Sequence, residues 1–137
     1  MTTGPEFDWV RVRANCTASQ IFASLKMGAQ RDVEARNTTL PQGTNYKYVV
    51  QTSGEDMFGV VLNVQAPASP RMVFFKLTDD AIVVNRGDGD TNLEWTVVPT
   101  INNEGQCRLK VKTSEYECWQ FRKLVLEDLL FANPWKR

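Results

Sequence analysis

The hydrophobic positions of this chain change their period once. From Ile21 to Val33 they recur every three or four residues (Ile21, Phe22, Leu25, Ala29, Val33), which is the stripe of a helix buried along one side. Thr17 and Gln20 stand at the spacing of a capping box, in which the hydroxyl accepts the Gln20 amide and the glutamine reaches back to the cap amide. The pattern predicts a helix over about residues 18–36, with Asn37 as its stop and "TTLPQG" beyond it.

After residue 45 the period becomes two. Tyr46, Tyr48 and Val50 alternate with Lys47, Val49 and Gln51, and Phe58, Val60, Leu62 and Val64 alternate with Met57, Gly59, Val61 and Asn63. "PRMVFFKLTDDAIVVN" reads as two strands joined at Asp79-Asp80, followed by a strand through Leu93, Trp95 and Val97. "QCRLKVK" and "EYECWQF" form the last pair, with Thr113-Ser114 as the turn. That register sets Lys110 opposite Glu117 and Lys112 opposite Glu115, an ordinary ladder of opposite charges. Short strands with turn signals at close intervals predict an antiparallel meander of six or seven strands. No link is long enough for a helical crossover, so a parallel sheet is not expected. A short terminal helix over about residues 122–132, stopped at Asn133-Pro134, ends the chain. The fold class expected is therefore α+β: one domain over 1–137, with the long N-terminal helix packed on a twisted antiparallel sheet.

Alternation also sorts the sheet into faces. Phe58, Val60, Leu62, Phe75, Leu77, Ile82, Val84, Trp95 and Leu109 share the face that meets the long helix. The opposite face carries Val49, Met57, Val61, Phe74, Val83, Val98, Trp119 and Phe121 among its charges. A terminal helix of about ten residues spans only about 15 Å and does not cover it. Large exposed apolar patches mark partner surfaces, so Trp119, Phe121, Phe74 and Val98 are the expected contact of a homodimer or of another protein.

Composition narrows the functions. The chain has 137 residues with 16 basic and 16 acidic side chains. The balance holds in each half, with six of each sign through residue 70 and ten of each after it. Phosphate binding draws on a basic excess, so nucleic acid is not an expected partner. No apolar run approaches the ~18 residues of a membrane span, and "MTTGPEFDWVRVRANC" lacks the apolar centre of a signal peptide. With three widely spaced cysteines, Cys16, Cys107 and Cys118, the expectation is a soluble, reduced, cytoplasmic protein. The register above leaves Cys107 and Cys118 diagonal, as buried thiols rather than a disulfide.

The chain contains no histidine, which removes Ser-His and Cys-His nucleophile pairs and His-based zinc sites. No catalytic residue or cofactor is therefore expected, and enzymatic activity is not favoured. Asp88, Asp90 and Asn92 imitate the start of a calcium loop, but the sixth position is Leu93 and the twelfth Pro99, where glycine and a bidentate glutamate are needed. The same stretch contains Arg86-Gly87-Asp88, a receptor-binding spelling. Both read more simply as a hairpin loop, and no metal is expected. Leu126, Leu129 and Leu130 match a groove-docking pattern and are assigned to core packing. The function expected is thus a non-catalytic interaction or adaptor protein, as a homodimer. The alternative is a small-molecule binder or carboxylate enzyme, with a cavity between helix and sheet lined by Tyr46, Tyr48, Phe58, Phe75 and Trp95.

Overall fold

The structure, a computed structural model, describes residues 6–64, 71–87 and 92–131. Two helices, α1 (Trp9–Asn15) and α2 (Ala18–Thr39), precede seven strands: β1 (Tyr46–Ser53), β2 (Met57–Val64), β3 (Met72–Leu77), β4 (Ile82–Gly87), β5 (Asn92–Ile101), β6 (Cys107–Val111) and β7 (Ser114–Tyr116). Helix α3 (Cys118–Phe131) follows. The strands form one antiparallel sheet in chain order, each hydrogen-bonded to its neighbours in sequence. The fold is α+β, a meander covered by helices.

Both long helices lie on one face of the sheet, and the core is the layer between. Thr52, Phe58, Phe75, Val84 and Trp95 form a continuous row across five strands. Within it Phe58 stacks on Phe75, with centroids 4.5 Å apart. Phe22 of α2 leans on Phe58 at 5.2 Å. Helix α2 contributes Ile21, Leu25, Ala29 and Val33 to this cluster, and α3 contributes Phe121, Val125, Leu126, Leu129 and Leu130. The buried leucines at 126, 129 and 130 are thus core.

Three departures from the sequence reading concern the termini and one turn. Helix α1 has no predicted counterpart; Asp8 caps it by accepting from the Arg11 amide at 3.1 Å, and none of its residues is buried. Helix α3 begins at Cys118, so "CWQF" is helical and not strand. The reason is local: the Gln120 side chain accepts the Glu117 amide at 2.8 Å, satisfying one donor of the helix start. The last hairpin turns at Lys112-Thr113, one residue earlier than predicted, because β6 and β7 pair Val111 with Ser114 and Leu109 with Tyr116. Lys112 takes a positive φ of 56° there, a conformation that the sequence of a lysine does not advertise. Lys110 therefore faces Glu115, not Glu117. The proposed loop residues Asp88 and Asp90 lie outside the described residues; the strands on either side pair from Gly87 and Asn92.

Asn37 does not stop α2, which runs on to Thr39. Its side chain instead reaches the edge strand β1, donating to the Tyr48 carbonyl at 2.8 Å and accepting the Tyr48 amide at 2.9 Å. A primary amide makes the same donor and acceptor pair as a neighbouring strand, so one segment of an open edge is satisfied from within the chain. Replacing it leaves both groups part-buried and unpaired. Asn37→Ala is expected to lower stability by about 1–3 kcal/mol, read from urea denaturation midpoints.

At the other end of α2 the Thr17 hydroxyl accepts the Gln20 amide at 3.2 Å. Among the described residues the reciprocal bond from the Gln20 side chain is not formed, so half of the predicted box exists. Thr17→Ala should cost about 1 kcal/mol and Thr17→Ser close to nothing. Equal denaturation midpoints for the two variants would show that the cap does not hold this helix.

Candidate functional site

Three surfaces carry side chains that the core does not account for. The first is the outer groove between α2 and α3, a space of about 400 Å³. Its floor is Leu126 and Leu130, which are buried, and its walls include Ala35, Arg36, Thr39 and Arg122. Trp119 and Phe131 flank it with 53% and 64% of their surfaces exposed. Gly28, having no side chain, leaves room on α2 for the Arg122 guanidinium, which a Cβ there would overlap. Arg122 crosses α2 through that notch and meets Asp32 at 2.7 Å.

The charges of the groove are matched within it. Arg36 donates through Nε to the Leu130 carbonyl at 2.7 Å and holds its guanidinium 4.4 Å from the centre of the Phe131 ring. The first contact satisfies a carbonyl at the end of α3, where a cation is favoured. The second is a cation–π contact. Lys123 pairs with Glu127 one turn on, at 3.2 Å. Trp119 is held in turn, its indole nitrogen donating to Glu117 at 2.8 Å.

The second surface is a cleft of about 430 Å³ where the start of α2, strand β6 and the start of α3 meet. Gln20, Ile21, Ser24, Cys107, Arg108, Glu117 and Cys118 line it. Cys107 is bonded to Cys16, with Cα atoms 5.5 Å apart and a sequence separation of 91. Cys118 is a free thiol. Burial pushes its pKa up, and the Arg122 guanidinium pulls it partly back. Arg108 meets Glu117 at 3.7 Å, while its Nε is buried without a partner. The disulfide overturns the expectation that Cys107 is a thiol. Proximity in sequence suggested Cys118 as the relevant neighbour, whereas the bond joins the head of α2 to the far end of the sheet.

The third surface is the uncovered face of the sheet. Val49, Val61 and Met72 form a row on it, and the Phe74 ring lies across Gly59. Met57, Val83 and Val98 are interspersed with exposed Lys47, Gln51, Lys76, Asn85, Thr96 and Lys110. All the apolar members are at least half-buried by their neighbours, Val98 being the most exposed at 38%. A mixed face of this kind suits water on one side of an antiparallel sheet.

The four residues expected to form one interface are therefore split. Phe121 is fully buried in the core and Trp119 stands on the helix layer, because the segment is helical and successive residues turn by about 100° rather than 180°. Phe74 and Val98 remain on the opposite, uncovered face. Of the five residues assigned to a ligand cavity, Phe58, Phe75 and Tyr48 are buried in mutual contact with the core. Tyr46 and Trp95 are half-buried beside them, Tyr46 edge-on to Tyr48 at 6.1 Å. Burial and the neighbouring Tyr46 raise the Tyr48 pKa, against the pull of Arg36 and Arg71. The Tyr48 hydroxyl has no hydrogen-bond partner among the described residues.

No helix among the described residues is long and apolar enough to cross a membrane. Nor do three or more Cys, Asp or Glu side chains converge there as a metal site. No family model, curated protein or solved structure matches the chain.

The cross-link closes most of the chain into a loop, and such a loop restrains the unfolded state most. Cys16→Ser combined with Cys107→Ser is expected to remove about 3–4 kcal/mol, lowering the melting temperature by about 10 °C or more. Scanning calorimetry of the double variant against the oxidised wild type checks this; an unchanged midpoint would mean that the bond contributes nothing to folding.

Proposed function

We propose that this chain is a non-catalytic interaction protein that pairs with a second copy of itself through the outer surface of its helix layer. The observation that carries the proposal is the groove between α2 and α3, with Trp119 and Phe131 standing exposed beside a floor of leucines. Tryptophan and arginine anchors around an apolar pocket are the usual centre of a protein interface.

Self-pairing is favoured over a foreign partner by three features. A two-fold interface needs one patch that is its own complement, and this surface holds both a groove and the aromatic side chains that would fill one. Most of its charges are matched in pairs, Arg122 with Asp32 and Lys123 with Glu127, and the remaining cation, Arg36, is held on the Leu130 carbonyl and the Phe131 ring, so apposing two copies brings little excess of one sign together. The dimensions also fit. Helices of 22 and 14 residues are about 33 and 21 Å long, and side by side at about 10 Å width each they present about 500 Å², the size of a small, weaker interface. The absence of histidine from the sequence agrees with a role in binding rather than catalysis.

Light scattering at high micromolar concentration should return twice the chain mass for the wild type. Trp119→Glu should return the single chain mass with a melting temperature within a few degrees, since the side chain is half exposed. A wild type that is monomeric at that concentration overturns the self-pairing. A dimer unaffected by the substitution moves the interface away from the helix layer.

A further inference from the structure

The cleft between α2, β6 and α3 holds a disulfide and a free thiol together. Cys107 and Cys118 line the same space, whereas Cys16 is 1% exposed behind it. The β6–β7 pairing explains why they meet. Leu109 faces Tyr116 and Lys110 faces Glu115. The pairing stops at Tyr116, and the Arg108–Glu117 ion pair at 3.7 Å holds the chain beyond it against β6. Cys118 then opens α3 in the cleft that it lines together with Cys107.

The geometry points to a thiol–disulfide exchange site made of all three cysteines, in which Cys118 displaces Cys16 from Cys107. The Cys118 thiol gives up its proton and its sulfur attacks the Cys107 sulfur. The Cys107–Cys118 bond forms as the Cys16–Cys107 bond breaks, and Cys16 leaves as a thiolate that takes up a proton. One disulfide and one thiol are present before and after, so the step needs no oxidant or reductant. The attack falls on Cys107 rather than Cys16 because Cys107 shares the open cleft with the attacking sulfur.

Exchange changes what is tied to what. The closed loop shrinks from a separation of 91 residues to one of 11, the difference between 118 and 107. It also frees Cys16, the residue that joins α1 to α2. The segment ahead of it is otherwise lightly held. No residue of α1 is buried, and Phe7 rests on Gly105 in the β5–β6 turn. That segment carries Phe7, Trp9 and Val10 with 54%, 64% and 58% of their surfaces exposed. Moving the bond thus loosens an apolar arm without unfolding the sheet. Burial raises the Cys118 pKa and so lowers its share of thiolate, which slows the exchange; it is best read at equilibrium.

Trypsin separates the three cysteines, because it cuts at Arg13, Lys26, Arg86, Arg108, Lys112 and Arg122. The full chain is equilibrated in a mixture of reduced and oxidised glutathione, quenched in acid, alkylated and digested. The expected result is two cross-linked peptide pairs, Cys16–Cys107 in excess and Cys107–Cys118 at a share on the order of 1–10%, the range of an ordinary minor conformer. Cys118→Ser should give the first pair alone. Cys16→Ser should give the Cys107–Cys118 pair almost completely. The proposal is overturned if the wild type shows only Cys16–Cys107 with Cys118 alkylated or capped by glutathione. It is equally overturned if Cys107 and Cys118 of the Cys16→Ser variant stay unlinked under the same oxidised glutathione. None of these readouts depends on the oligomeric state.

Discussion

A meander of seven antiparallel strands has two faces and no crossover helices to cover either. Burying one of them is the constraint on which this structure depends. Only α2 and α3 are long enough to do it, and both are placed on the same side, where Phe58, Phe75 and their row meet Phe22, Phe121 and Leu126. Two helices side by side over one sheet must also settle their own contact. They do so through a missing side chain at Gly28 and a guanidinium that threads the gap to Asp32. Arg36 and Arg86 complete the seating of α3, the one at the Leu130 carbonyl and the other through Asp128 at 2.8 Å. Arginine suits this work because its long apolar stem packs while the planar head reaches several acceptors.

The one-sided arrangement has a corollary for the surface. Since none of the described helices goes to the opposite face, that face is left with small clusters broken by lysine, glutamine and threonine. The conspicuous aromatic side chains appear instead on the helix layer. The chain thus keeps a water-compatible sheet and concentrates its adhesive residues where the helices meet. The edges are treated in the same spirit: β7 is three residues long, and the Asn37 amide occupies part of β1.

Much of this was legible in the sequence, because period two and period 3.6 are imposed by burial and each strand pairs with its neighbour. The alternation at 46–64 and 72–84 placed the strands and their faces, and Thr17 marked the head of α2. What was not legible has specific causes. "WVRVRA" alternates like a strand, yet forms the short helix α1, whose side chains bury nothing and so leave no periodic signature. "EYECWQF" also alternates, and the signal that it turns helical is the spacing of Glu117 and Gln120, the returning half of a capping box without the usual serine or threonine. That single misreading moved Phe121 from a surface to the core and separated Trp119 from Phe74 and Val98. The disulfide was invisible for a different reason. Its partners are brought together by the packing of α2 over the end of β6, which no local pattern reports.

The bond from Cys16 to Cys107 gives the molecule a property that its layered description hides. Each strand touches mainly the next, so the sheet is an almost linear object and a cut between two strands would ordinarily leave two pieces held by non-covalent contacts alone. With the head of α2 joined to β6, the stretch from Cys16 to Cys107 is a ring. A protease that opens one exposed turn within it, such as Thr78–Asp80, converts the ring into a branched chain and not into two molecules. Damage at a surface loop then costs a peptide bond without releasing a fragment, and the nicked protein travels as one particle.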